Sequence, residues 1–85
     1  MSIKNFIISE QTFYIGEDAT VKVTVKLYES DGNYMMTSWL NDVEELNTTE
    51  YEGSLDNTEE IIAAMEEFVN DNEQFILDTA SWDGE

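Results

Sequence analysis

The 85-residue chain contains no cysteine, histidine, proline or arginine, and only three lysines stand against twenty acids. Each absence removes a class of reading. Without cysteine there is no disulfide framework, no thiolate nucleophile and no cysteine metal site. Small secreted domains usually rely on such staples, so the composition leads us to expect a cytosolic setting. Without histidine, cysteine or arginine, the common general base, thiol nucleophile and anion clamp are all missing. No enzymatic activity, catalytic residue or cofactor is therefore expected. No run approaches the roughly 20 apolar residues of a membrane span, and the first nine residues, MSIKNFIIS, hold too short an apolar stretch for a signal peptide. No proline or linker divides the chain, which reads as a single domain over residues 1–85.

What is present is acid, and it is unevenly placed. Residues 31–85 hold sixteen Asp and Glu and no base, whereas residues 1–30 hold Glu10, Glu17, Asp18 and Glu29 together with Lys4, Lys22 and Lys26. The net charge of −17 therefore belongs almost wholly to the last two thirds. Halophilic adaptation would acidify the whole surface and does not explain a nearly neutral N-terminal third. Mean hydropathy is −0.41. With a hydrophobic fraction of 41% and ten aromatic residues, the chain is still too apolar for a solvating acidic tail. A domain of this size buries only about 60–65% of its unfolded surface, so the core is thin.

The clearest strand is residues 20–29, where Val21, Val23, Val25 and Leu27 alternate with Lys22, Thr24, Lys26 and Tyr28. Asp31-Gly32 follows as a two-residue hairpin turn, and residues 34–40 return. This pairs Leu27 with Met36, Val25 with Ser38 and Val23 with Leu40, and puts Thr24 opposite Trp39. Residues 3–15 suit one further strand with an irregularity near Ser9-Glu10, a short helix at 2–9 being the competing reading. Residues 41–55 are ambiguous: 42–46 could form a helical turn and 49–53 a short edge strand. Asp56 or Asn57 can cap a helix at about 58–73, with Ile61, Ile62, Met65, Phe68 and Val69 on one stripe. Residues 74–82 either prolong that helix or form a last strand with Phe75 and Leu77 inward. The expected architecture is α+β: a small antiparallel sheet, made of the hairpin at 20–40 and an N-terminal strand, with one main helix packed on one face.

The helix is unfavourable in its own electrostatics. Glu59 and Glu60 suit its positive end, but Glu66, Glu67, Asp71 and Glu73 crowd towards the negative end. Glu67 and Asp71 are also a like-charge pair at i,i+4. Solubility requires a net charge of only about 2 to 8 in a small domain, and an uncompensated cost beyond that is expected where a site demands it. B-DNA carries one charge per about 1.7 Å of axis, so seventeen charges correspond to about 29 Å of duplex, close to the width expected of the domain. A groove lined with Lys and Arg attracts either polyanion.

In size, α+β reading and the acid content of residues 29–85, the chain resembles the small acidic DNA-mimic inhibitors of phages and mobile elements, which include anti-CRISPR and anti-restriction proteins. These share no fold and no motif, so no residue roles carry over. The resemblance implies an inhibitor that occupies the nucleic-acid channel of a host defence nuclease or another basic nucleic-acid-binding protein and does not bind nucleic acid itself. The candidate contact acids are Asp42, Glu44, Glu45, Glu50, Glu52, Asp56, Glu59, Glu60, Glu66, Glu67 and Asp71, with Glu29 and Asp31 at the hairpin tip as a second group. The alternative is an acidic interaction module, an immunity protein or adaptor, that leaves its partner's nucleic acid in place. No EF-hand spacing occurs, and no dedicated metal site is expected. Trp39 and Trp82 are candidate anchors or core residues, and Tyr28, Tyr34 and Tyr51 are expected to be exposed among the acids.

Overall fold

The computed structural model describes residues 7–83, with side chains described for residues 7–81. Four antiparallel strands run in meander order: β1 (Ile7–Ile15), β2 (Val21–Ser30), β3 (Asn33–Leu40) and β4 (Glu44–Glu50). Two helices, α1 (Thr58–Asp71) and α2 (Glu73–Asp83), complete the chain. The fold is α+β, with two helices where one was expected.

The β2–β3 hairpin has the register that its turn dictates: Leu27 pairs with Met36, Val25 with Ser38, Val23 with Leu40 and Thr24 with Trp39. Asp31 and Gly32 both have positive φ, 54° and 85°, as a turn matching the right-handed strand twist requires. β1 pairs with β2 and is interrupted between Ile7 and Ser9 by a register shift, one residue from the expected irregularity. Residues 7–9 are strand, not helix, and the rest of the alternative helix at 2–9 lies outside the described residues.

Residues 41–55 differ most from expectation. The helical turn at 42–46 does not form. Asn41 and Asp42 instead take left-handed conformations, φ 54° and 63°, and the Val43 N–H donates to the Leu40 carbonyl at 3.1 Å. Asn and Asp tolerate that conformation better than other non-glycine residues. The resulting tight turn starts β4 at Glu44, five residues before the short edge strand expected at 49–53. A register shift between Thr37 and Trp39 places Leu46 and Asn47 together opposite Ser38. The buried Ser38 hydroxyl then accepts the Asn47 N–H at 3.2 Å.

Both helices cover the Val23/Val25/Leu27 face of the sheet. The core consists of those three residues with Met36, Leu40 and Tyr51 from the sheet side, Ile61, Met65, Phe68 and Val69 from α1, and Ile76 from α2. Asn57 caps α1, its Oδ1 accepting the Glu60 N–H at 3.2 Å. At the other end Asn72 stops the helix: its Nδ2 donates to the Phe68 carbonyl at 2.8 Å, while its own backbone carbonyl accepts the first bond of α2 from Ile76 N at 2.9 Å. Residues 74–82 are thus a second helix, with Ile76 as the inward residue and Phe75 exposed. No helix among the described residues is long and apolar enough to cross a membrane.

Candidate functional site: an acidic groove beside the first helix

α1 and α2 together carry eight acids and no base, and Glu59, Glu60, Glu66, Glu67, Asp71 and Asp78 are exposed. Three of the eight, Glu60, Glu67 and Asp71, follow one another along α1 at spacings of seven and four, which places them on one edge of the helix. Ala63 and Ala64 lie between them and keep that edge low. The chain leaving β4, residues 50–52, runs alongside. Between the two walls is an open groove of about 420 Å³, lined by the acids Glu60, Glu67 and Asp71 of α1 on one side and residues 50–52 on the other, and floored by Met36, Tyr51, Ala63, Ala64 and Phe68.

Tyr51 is the structural centre of the groove. It was expected on the surface but is buried, because its ring joins the core and its hydroxyl donates to the Ser54 carbonyl at 2.8 Å. Burial, and then the nearby Glu60 carboxylate, raise its phenol above the ordinary value of 10.0. Tyr28 and Tyr34 are half-buried rather than exposed. Gly53 allows the chain to pass over Tyr51. A Cβ there would lie 2.6 Å from the Tyr51 hydroxyl oxygen and 2.8 Å from Glu60 Oε2.

The remaining candidate acids are dispersed. Glu59 and Glu66 are exposed on α1, and Asp56 is exposed just before it. Glu29 and Asp31 are exposed at the far hairpin tip. Glu44 opens β4. Glu45 lies on the opposite side of the sheet, beside Trp39 and Lys26. Asp42 is already engaged: Lys22 Nζ lies 2.7 Å from its Oδ2. That hydrogen bond, followed by one from Thr24, holds the Asp42 carboxyl below its ordinary value, and the same bond raises Lys22. Lys22 and Lys26 are therefore not simply solvated, since the Lys26 ammonium sits 4.9 Å from the centre of the Trp39 ring.

Sequence periodicity found the α1 acids but missed Glu50 and Glu52 as their neighbours across a groove. It also missed the apolar floor. The missing signal was the bulged β4, which brings residues 50–52 alongside α1. Among the described residues no group of three or more acids is placed to hold a metal ion. The groove's carboxylates are spaced along it rather than converged on a point. Such a groove suits long cationic side chains, whose stems lie on apolar atoms while the head groups pair with carboxylates, arginine in bidentate fashion. The molecule is a plate of 38 × 33 × 15 Å, so the acid is displayed across a broad, thin body. No family model, no curated protein and no solved structure matches this chain.

Proposed function

We propose that the protein is a non-enzymatic acidic inhibitor that occupies the basic nucleic-acid channel of a DNA-binding protein in place of nucleic acid. In its sharpest form the target is a CRISPR effector or a restriction nuclease. The observation that carries this reading is the density of uncompensated acid on the helical layer. Two consecutive helices have eight acids and no neutralising base, and the α1 acids Glu60, Glu67 and Asp71 line a groove with an apolar floor. At about 1.7 Å of duplex per charge, a net −17 matches about 29 Å of DNA, within the 38 Å length of the molecule. Arginine and lysine side chains that grip phosphates would meet carboxylates here, and the groove would take one or two of them by their stems.

The test is competition. A partner protein loaded with labelled duplex should release it on titration with this chain, with one chain bound per channel. Retention of duplex in a stable ternary complex would instead identify an adaptor. Attraction of this kind raises association rates and weakens with salt.

A further inference from the structure

We propose that the groove beside α1 is a docking site for one kind of partner element, an α-helix whose basic residues recur at spacings of four and seven. This rests on the reading of the groove as a seat for cationic side chains, and names the element that carries them.

The spacing of the acids selects the occupant. Glu60, Glu67 and Asp71 are exposed along one edge of α1. At 1.5 Å per residue they stand roughly 10.5 Å and 6 Å apart along its axis, and at about 100° per residue they stay within roughly 40° of one another. They form a nearly straight row. A strand rises about 3.3 Å per residue and turns alternate side chains to opposite faces. Its like-facing bases fall at about 6.6 or 13 Å and miss the longer interval. A polyproline helix rises about 3.1 Å per residue with three residues per turn, so its rows repeat at about 9.3 Å and miss the shorter interval. An α-helix has both intervals on one face. A helix antiparallel to α1 meets the row with bases at i, i+4 and i+11.

The floor admits such a helix. Ala63 and Ala64 lie between the acids, and Tyr51 and Phe68 line the groove beside them. Small residues let a second helix approach to the 8–10 Å of ordinary helix packing. The groove of about 420 Å³ is too small for a body about 10–12 Å across, so it takes side chains and leaves the partner's backbone above it. Arg or Lys stems then lie on Tyr51 and Phe68 while their head groups pair with the row. Charge fixes the sign of the partner, because α1 and α2 carry no base to meet an acidic helix.

The chain's own ends are badly placed to fill the site. Residues 1–6 are tethered at Ile7 on β1, the edge strand opposite β4. Six residues span at most about 21 Å. The path to the wall at residues 50–52, three strand spacings and one layer, is roughly 24 Å. At the other terminus, α2 carries Ala80 and Ser81 past Gly16 and Val21, on the β1–β2 side of the molecule.

Three Ala-rich peptides of about 20 residues, long enough for partial helix on their own, test this against the full chain at low salt. The first has Arg at i, i+4 and i+11. The second has the same composition with Arg at i, i+5 and i+10, on three different faces. The third is the first with a central proline, which breaks the helix. The first should bind at least about fivefold more tightly than the others and gain helical circular dichroism on binding. Glu67→Gln should remove most of that preference, and Asp78→Asn, the same charge change off the row, should keep it. Equal affinity for the three peptides, or equal loss in Glu67→Gln and Asp78→Asn, reduces the row to bulk charge and overturns the proposal. So does the absence of binding by any peptide. Displacement of DNA from a nuclease is read by the separate competition experiment, so either reading can fail without the other.

Discussion

The side-chain amide of Asn47, on β4, donates to Asn72 Oδ1, at the junction of the two helices, across 2.8 Å. Asn72 in turn donates to the Phe68 carbonyl, so one amide pair ties the bulged strand to the end of α1. The bond fixes where α1 stops and how its acid edge lies relative to residues 50–52. Removing one partner leaves half-buried polar groups without their bonds. Asn72→Ala is expected to cost about 1–2 kcal/mol and Asn47→Ala about 1 kcal/mol. The double variant should lose less than the sum, as residues sharing a bond do not add. Urea unfolding of the four proteins measures this.

Gly53 governs the shape of the groove. A methyl there would meet the Tyr51 hydroxyl and the Glu60 carboxylate well inside contact distance. Tyr51 is buried and cannot swing away. Gly53→Ala should therefore destabilise by about 1–3 kcal/mol and weaken partner binding, whereas Gly32→Ala, with nothing within 4 Å of the added carbon, should affect stability through its turn and leave binding alone.

The hairpin shows how far sequence alone carried the fold. Alternation on β2 and the Asp31-Gly32 turn determine both the register and the buried face, because one slip would expose the valines. The stripe on α1 was equally legible. β4 was not, since Leu46 and Asn47 share one side of a bulge and break the alternation. α2 was obscure because little of it is buried: Ile76 is enclosed while Phe75 points to solvent. Tyr51 misled because its acidic neighbours in sequence suggested exposure, while its hydroxyl finds a partner, the Ser54 carbonyl, only in the folded chain. The candidate site was legible as acids along one helix and invisible as a groove.

The acid edge of α1 should be costly to the fold. Asp71 lies in the last turn, where no base is present, and opposes Glu67 across one turn. Asp71→Lys should stabilise by about 0.3–1 kcal/mol through the helix dipole, with a few tenths more from the relieved repulsion. Added salt should raise the melting temperature of the native chain and raise that of the variant less. The same substitution should weaken partner binding, and calorimetry with binding measurements on both proteins reads the trade.

Tyr51 gives the fold an alkaline weakness. Its phenol is raised in the folded state by burial and by Glu60. The unfolded chain ionises first, so the folded state binds more protons in that window. This contribution is fully present below the unfolded value near pH 10 and is lost as pH rises through the higher folded value. Tyr51→Phe should flatten the fall in stability above pH 10. Glu60→Gln should lower the phenol's titration towards normal in an ultraviolet absorbance titration, because it removes the nearby negative charge.

The central claim is that the groove's carboxylates stand in for phosphates. Its most direct test is DNA cleavage by a panel of guide-loaded CRISPR nucleases and restriction enzymes, titrated with this chain and with the triple variant Glu60→Gln, Glu67→Gln, Asp71→Asn. The account predicts stoichiometric inhibition of a susceptible nuclease, relieved by excess duplex, fading as salt rises, and lost or much reduced in the triple variant. Inhibition that is indifferent to salt and to the triple variant, or no inhibition of any nuclease in the panel, would contradict it.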